Sequence, residues 1–204
     1  MRMPPIETER LLVRPFAPND LAAIHHILDV ELAGAEVGTD GTQTLDARER
    51  WLHWTILGYE QYVALHQPSY GERAIVLKET GQVIGACGYV PCLDQFDRLP
   101  SLRATTGEDS AGLGSTEFGL YWAVSPRYQR QGYATEAAKA LIDDAFTRLG
   151  LRRIIATTTY DNAASIRVME KVGMRIDKNP DKDPAWLQVV GVIYHPKLKR
   201  VTPD

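Results

Sequence analysis

The chain has 204 residues, of which 44% are hydrophobic and 24% charged, so it fits one globular domain with enough apolar material for a full core. Its net charge is -3, its pI is near 6.0 and it has no long run of Lys or Arg; this argues against a nucleic-acid footprint and towards small or peptide substrates. The opening MRMPPIETER lacks the apolar core of a signal peptide and no stretch approaches bilayer-spanning length, so no membrane association and a cytoplasmic location are expected.

Cys87 and Cys92, five apart, match no zinc or redox spacing and are expected as buried or half-buried free thiols. The five histidines form no ligand pair at metal spacing, so no metal is assigned.

In chain order, Arg10 to Phe16 reads as a first strand, and Pro18 with Asp20 suits a helix start whose core stripe is Leu21, Ile24, Ile27 and Leu28. Glu31 to Thr44 has no sustained period and reads as a loop. Asp46-Ala-Arg-Glu49 has the spacing of a capping arrangement ahead of a helix carrying Trp51, Thr55, Tyr59 and Tyr62. Core packing and substrate contact both stand as readings of these aromatics. Ala74 to Lys78 and Gln82 to Val90 flank Glu79-Thr80-Gly81 as a hairpin. Pro91 to Ser115 is polar and glycine-rich and reads as a long loop insertion, either mobile or paired with a second copy of the chain in a homodimer.

The stretch from Thr116 to Ala137 is the centre of the chain. Phe118, Leu120, Trp122 and Val124 share one parity of a half-buried strand that Ser125-Pro126 ends. Arg127 to Gly132 forms a basic, amide-rich loop, and Ala134, Ala137, Ala138, Leu141, Ile142, Ala145, Phe146 and Leu149 then recur at helical spacing. A helix start offers amides without intrahelical partners at the positive end of the dipole, so Gln131 to Thr135 could cradle a phosphate or pyrophosphate. Gly150 stops the helix, and Arg152 to Tyr160 is a β-branched strand. Asp161-Asn162 caps a short helix closed by Gly173, and Met174 to Asp177 and Leu187 to His195 finish as strands. Strands alternating with helices, with a hairpin on one side, predict an α/β fold: a mixed, twisted sheet with helices on both faces.

Two motifs carry a resemblance. Gln129-x-x-Gly132-x-Ala134 resembles the acyl-coenzyme A signature of the GCN5-related N-acetyltransferases, and Glu117-Phe-Gly-Leu-Tyr-Trp before it resembles their ribosomal-protein-acetylating branch. Asn162-Ala-Ala-Ser165 followed by Met169-Glu-Lys-Val-Gly173-Met174 resembles the same family's Asn-x-x-Ser helix and its Lys-x-Gly-Phe ending. The resemblance implies a single, mostly antiparallel acetyltransferase domain over residues 1–204, its core about 7–195 and residues 91–115 an insertion.

It further implies transfer of an acetyl group from acetyl-coenzyme A to a primary amine, on a small molecule or a peptide N-terminus, without a covalent enzyme intermediate. By this carry-over the backbone of Trp122, Ala123 and Val124 holds the pantetheine arm, and Arg130, Gln131, Gly132, Tyr133, Ala134 and Thr135 hold the pyrophosphate. Asn162 meets the pantetheine or caps its helix, and the two roles are compatible. An alkylammonium must lose a proton before attack, and Glu117 is either that base or a salt-bridged strand carboxylate. The leaving thiolate needs a donor. Met169 stands where many members carry a tyrosine, leaving Ser165 as either the proton donor or part of a helix cap, with Tyr160 and Tyr194 as further donors. The missing tyrosine also keeps open an acyl-coenzyme A binding or sensing module without turnover.

Overall fold

Leu11 and Val13 are fully buried while Leu12 and Arg14 are half-buried, the period-two pattern of a strand. β2 (Leu11–Pro15) accordingly pairs antiparallel with a two-residue β1 (Ile6–Glu7). The computed structural model describes residues 3–35, 41–96, 99, 102 and 113–198. The chain divides into two compact units, Met1–Val90 with Tyr121–Leu141, and Pro91–Leu120 with Ile142–Asp204.

In the first unit, Pro18 opens a 3-10 turn, Pro18–Asp20, that leads into α1 (Leu21–His25) and a π-helical turn, His26–Glu31. Asp20 accepts the Ala17 amide at 2.8 Å and is gripped by both terminal nitrogens of Arg14. α2 (Leu45–Ala64) is capped two residues before the expected position: the extended Thr44 accepts the Ala47 amide through its hydroxyl at 3.2 Å, and Asp46 lies inside the first turn. Arg48, from that first turn, reaches back to Asp29 of the π turn through two hydrogen bonds of 2.8 Å, and both side chains are buried. Residues 36–40 of the expected Glu31–Thr44 loop lie outside the described residues.

β3 (Glu72–Leu77) and β4 (Val83–Asp94) form the expected hairpin, and the strand order of this unit is β1-β2-β3-β4, antiparallel throughout. Phe16, Ile24, Ile27, Leu28, Leu52, Ala74, Val76, Ala86 and Ala123 make its core, with Trp51 and Tyr121 packed against them. This settles Trp51 as mainly a packing residue, whereas Trp54 is 71% exposed.

β5 (Ser115–Val124) passes from the second unit into the first. Both of its parities carry buried residues, Glu117 and Ala123 on one and Leu120 and Val124 on the other, so it is more deeply covered than the half-buried strand expected. α3 (Tyr133–Thr147) runs from the first unit into the second, with Ala137, Ala138, Leu141, Ile142 and Ala145 buried as its stripe requires.

In the second unit β5 pairs parallel with β6 (Arg153–Thr158), β6 antiparallel with β8 (Val189–Tyr194), and β8 antiparallel with β7 (Arg175–Lys178). α4 (Ala163–Lys171) connects β6 to β7. The segment expected as a loop from Pro91 begins instead as strand, because β4 continues through Asp94; a proline is tolerated where a strand needs no ladder donor. Phe96, Leu99 and Leu102 are buried in this unit's core with Ile155, Leu187, Val190 and Val192. Residues 97, 98, 100, 101 and 103–112 of that segment lie outside the described residues.

One close approach within the first unit fixes how β4 meets the end of β5. A Cβ at Gly85 would lie 2.2 Å from the Ala123 carbonyl oxygen, which is backbone and has no rotamer to yield. Gly85→Ala is therefore expected to lower stability by about 1–3 kcal/mol, read as a shift in the midpoint of denaturant unfolding; an unshifted midpoint would show that the strands separate without cost.

Candidate active site

The end of β5, the loop after it and the start of α3 all belong to the first unit, so the structure brings together Trp122, Ala123 and Val124 with Arg130 to Thr135. Pro126–Tyr128 forms a 3-10 turn, and the Gln129 side-chain amide turns back to donate to the Val124 carbonyl at 3.0 Å. Gln131 does the same to the Arg127 carbonyl at 3.1 Å. The two glutamines fold the loop tightly against the strand end.

Arg130 and Gly132 then take positive φ, 62° and 87°, and this left-handed pair swings the chain into α3. Only glycine reaches that region without strain from a Cβ. Gly132 accepts the Glu136 amide at 3.0 Å as the residue before the first helical turn, so the amides of Tyr133, Ala134 and Thr135 are left without intrahelical partners. Arg130, Gln131 and Gly132 are exposed and the next three half-buried, which leaves the amides within reach of an anion. Arg127 is committed to Glu31 at 2.9 Å, whereas Arg130 pairs with no carboxylate among the described residues.

A carboxylate in that first turn would repel a phosphate, and Glu136 is there. An acid in the first turn complements the helix dipole; the structure adds a set of partners 126 and 128 residues away in sequence. Thr8 donates to it at 2.6 Å, the Arg10 amide at 2.9 Å and the Arg10 Nε at 2.7 Å. Burial pushes the Glu136 carboxyl up, but the hydrogen bonds from Thr8 and Arg10 outweigh it and hold the group below the usual range. The same guanidinium donates to the Gln131 carbonyl at 3.0 Å and lies over the Tyr133 ring at 4.3 Å. Sequence gave no local sign of Thr8 and Arg10, because nothing at position 136 identifies a partner on β2's approach.

The second unit holds the remaining expected residues. Asn162 caps α4: its side-chain oxygen accepts the Ser165 amide at 3.1 Å, and its amide nitrogen has no partner among the described residues. The cap uses the Ser165 backbone, so the half-buried Ser165 hydroxyl remains uncommitted among those residues. Met169 is buried, with its sulfur 3.0 Å from where a Gly191 Cβ would stand, and so belongs to the core. The Tyr160 hydroxyl donates to the Asn179 carbonyl, and that of Tyr194 receives a bond of 3.4 Å from Arg153.

Glu117 is buried, and both its oxygens are held by Arg153 of β6, one of them at 2.8 Å from Nε and the other by Nη2. A carboxylate committed in this way has little left to offer an incoming ammonium. Of the two readings of Glu117, the geometry favours the salt-bridged strand carboxylate. Cys87 is buried, its thiol pushed up to about 12 by burial, and Cys92 is half-buried; both are free thiols, as expected.

The sequence profile of the acetyltransferase (GNAT) domain matches residues 10–175. The chain belongs to the GNAT acetyltransferase family. That match runs through both compact units, so they are parts of one family domain. An uncharacterised N-acetyltransferase of Bacillus subtilis (strain 168), YoaA, is 27% identical over 173 residues, 84% of this chain and 83% of the relative. YnaD of the same organism, also an uncharacterised N-acetyltransferase, is 45% identical over 63 residues, which span 31% of this chain and only 37% of that relative. Among solved structures, an acetyltransferase from Agrobacterium tumefaciens str. C58 superposes with a TM-score of 0.66 at 26% identity, covering 95% of this chain and 96% of the other. The expected α/β GNAT-like fold and enzyme class are borne out at this level. No helix among the described residues is long and apolar enough to cross a membrane.

Gly132 gives the direct test of the loop. Gly132→Val forces a β-branched residue to φ near 87° and sets a side chain where only Arg10 Nη2, 3.4 Å from an ideal Cβ, now stands. Coenzyme A binding is expected to weaken at least tenfold, about 1.4 kcal/mol, by titration calorimetry. Unchanged affinity in a folded variant would remove the loop from the site.

Proposed function

We propose that the protein transfers the acetyl group of acetyl-coenzyme A to a primary amine by direct attack within a ternary complex. The observation that carries this reading is the left-handed pair Arg130 and Gly132 leading into the unpartnered amides of α3, with the one carboxylate of that turn neutralised by Arg10. A pyrophosphate would accept from those amides and gain from Arg130 and the helix dipole. The extended backbone of Trp122 to Val124 would hold the pantetheine arm and the uncommitted Asn162 amide would meet it. Acetyl-coenzyme A would be a co-substrate, not a resident group, and supplies the activated thioester.

The amine nitrogen attacks the thioester carbonyl, a C–N bond forms, and the C–S bond breaks with the electron pair leaving on sulfur. The Ser165 hydroxyl, not used by the helix cap, would donate to that thiolate. The string Glu117-Phe-Gly-Leu-Tyr-Trp supports the ribosomal-protein-acetylating branch, with a peptide N-terminus or small amine as acceptor, in the cytoplasm. A second copy of the chain, as a homodimer partner, belongs to the same reading. Met169 in the core, where a tyrosine donor is common, favours the alternative of a coenzyme A binding module without turnover.

Free-thiol release from acetyl-coenzyme A over a panel of amines separates the two readings. In the transferase reading Ser165→Ala lowers turnover by roughly a hundredfold with coenzyme A affinity retained. Glu117→Gln is the companion variant: loss of its pair with Arg153 should cost roughly 1–3 kcal/mol of stability, and a rate per folded molecule near wild type would assign it to structure. A hundredfold fall for Glu117→Gln without loss of stability would instead return it to the proton path. No thiol release with any amine would leave the binding module.

A further inference from the structure

We propose that Glu72, at the start of β3, is the base that takes the proton from the acceptor ammonium, with Tyr121 holding its carboxylate in place. The inference rests on the transferase reading above and names a residue that neither sequence motif contains. It concerns groups that all lie in the first unit.

The geometry is that of a positioned but unspent carboxylate. Tyr121 Oη donates to Glu72 Oε2 at 2.9 Å. A carboxylate can accept about four hydrogen bonds, so the Tyr121 donor orients it and leaves capacity for a substrate N–H. The other enclosed acids of this unit differ: Asp20 is held by Arg14, Asp29 by Arg48 and Glu136 by Arg10. Among the described residues Glu72 has no ion-pair partner. The residue as a whole is half-buried.

Its position suits the task. Tyr121 is the residue immediately before Trp122, Ala123 and Val124, the backbone assigned to the pantetheine arm, and packs with Ala123 in the α1 and α2 core. The hydrogen bond from Tyr121 therefore ties the carboxylate to the strand that would carry the thioester. Glu72 itself is pinned from α2, because the Tyr59 hydroxyl donates to its carbonyl oxygen at 2.6 Å.

The charged and titratable groups around Glu72 leave it as the one that changes state near neutrality. Burial raises its carboxyl to about 7, against the hydrogen bond from Tyr121 and the charge of Arg48, which lower it. Tyr121 on β5 is pushed well above its ordinary value by burial, Tyr59 on α2 is raised for the same reason, and Cys87 on β4 is pushed up to about 12. These three stay neutral where Glu72 titrates, and Arg48 stays charged in its pair with Asp29. A base poised near the working pH combines the required charge state with driving force for the transfer.

The step balances. An alkylammonium gives one proton to the Glu72 carboxylate, and its freed lone pair attacks the thioester carbonyl. The second amine proton is lost as the amide forms and ends on the departing sulfur, and Glu72 returns its proton to solvent.

The test uses the full chain, acetyl-coenzyme A and an alkyl amine whose own ionisation lies near about 10. Because a raised acid is neutral below its pKa and charged above it, wild-type kcat/KM should rise as pH passes through about 7. Glu72→Gln keeps the shape and an acceptor for Tyr121; it should lower turnover about a hundredfold, leave coenzyme A affinity intact and abolish that limb. Tyr121→Phe removes a hydrogen bond that favours the charged form, so its limb should move to higher pH. This readout stands even if Glu72→Gln fails to fold, and a purely structural Glu72 would not produce it. Turnover by wild type that persists in Glu72→Gln with the same limb, or an unmoved limb in Tyr121→Phe, overturns the base alone. No thiol release from wild type with any amine overturns the transferase reading and the base with it.

Discussion

Glu136 is the point on which the first unit's site depends. Thr8, the Arg10 amide and the Arg10 guanidinium converge on one carboxylate at the start of α3. The contact ties the approach to β2 to the first turn of a helix far away in sequence, and it cancels a negative charge where the proposed pyrophosphate would bind. Charge-assisted bonds of this kind are roughly twice as strong as neutral ones, and several on one group define its position closely. Arg10 then extends the tie to the Gln131 carbonyl and the Tyr133 ring, so the loop, the helix start and the strand are held as one piece. The left-handed conformation of Arg130, a residue with a Cβ, is tolerable because both flanks are fixed in this way.

The same unit handles its acids in two ways. Where an acid serves the fold it has an arginine: Arg14 grips Asp20 below α1, and Arg48 grips Asp29 so that α2 is anchored to the π turn. Burial alone would push Asp29 up, yet Arg48 and the Gln43 amide hold it below the usual carboxylate range. Glu72 is treated differently: the neutral Tyr121 hydroxyl donates to it, and it forms no salt bridge among the described residues. Neutral donors orient a carboxylate without neutralising it, and the group stays able to exchange a proton at working pH.

Much of the fold was legible because periodicity and punctuation act locally. The α3 stripe, the β3–β4 hairpin and the Asn162 cap all follow from contacts within a few residues, and all stand where expected. What was not legible depends on distant partners. The assignment of the α2 cap to Asp46 failed because the extended Thr44 reached the amide first. Phe96, Leu99 and Leu102 look scattered in sequence, and only the packing around Ile155 and Val190 gives them a core. Glu117 stood between base and salt bridge until Arg153, 36 residues on, was seen to hold both of its oxygens. Glu72 carries no motif, and its interest comes from burial and from Tyr121, which no spacing connects to it.

The central claim is that coenzyme A is held by the start of α3. Amide chemical shifts, followed by NMR as coenzyme A is titrated into the protein, report on those groups one by one. The account predicts that the largest shifts fall on Gly132, Tyr133, Ala134 and Thr135, with smaller ones at Trp122 to Val124. Saturable binding that leaves the Gly132 to Thr135 amides unshifted would contradict it.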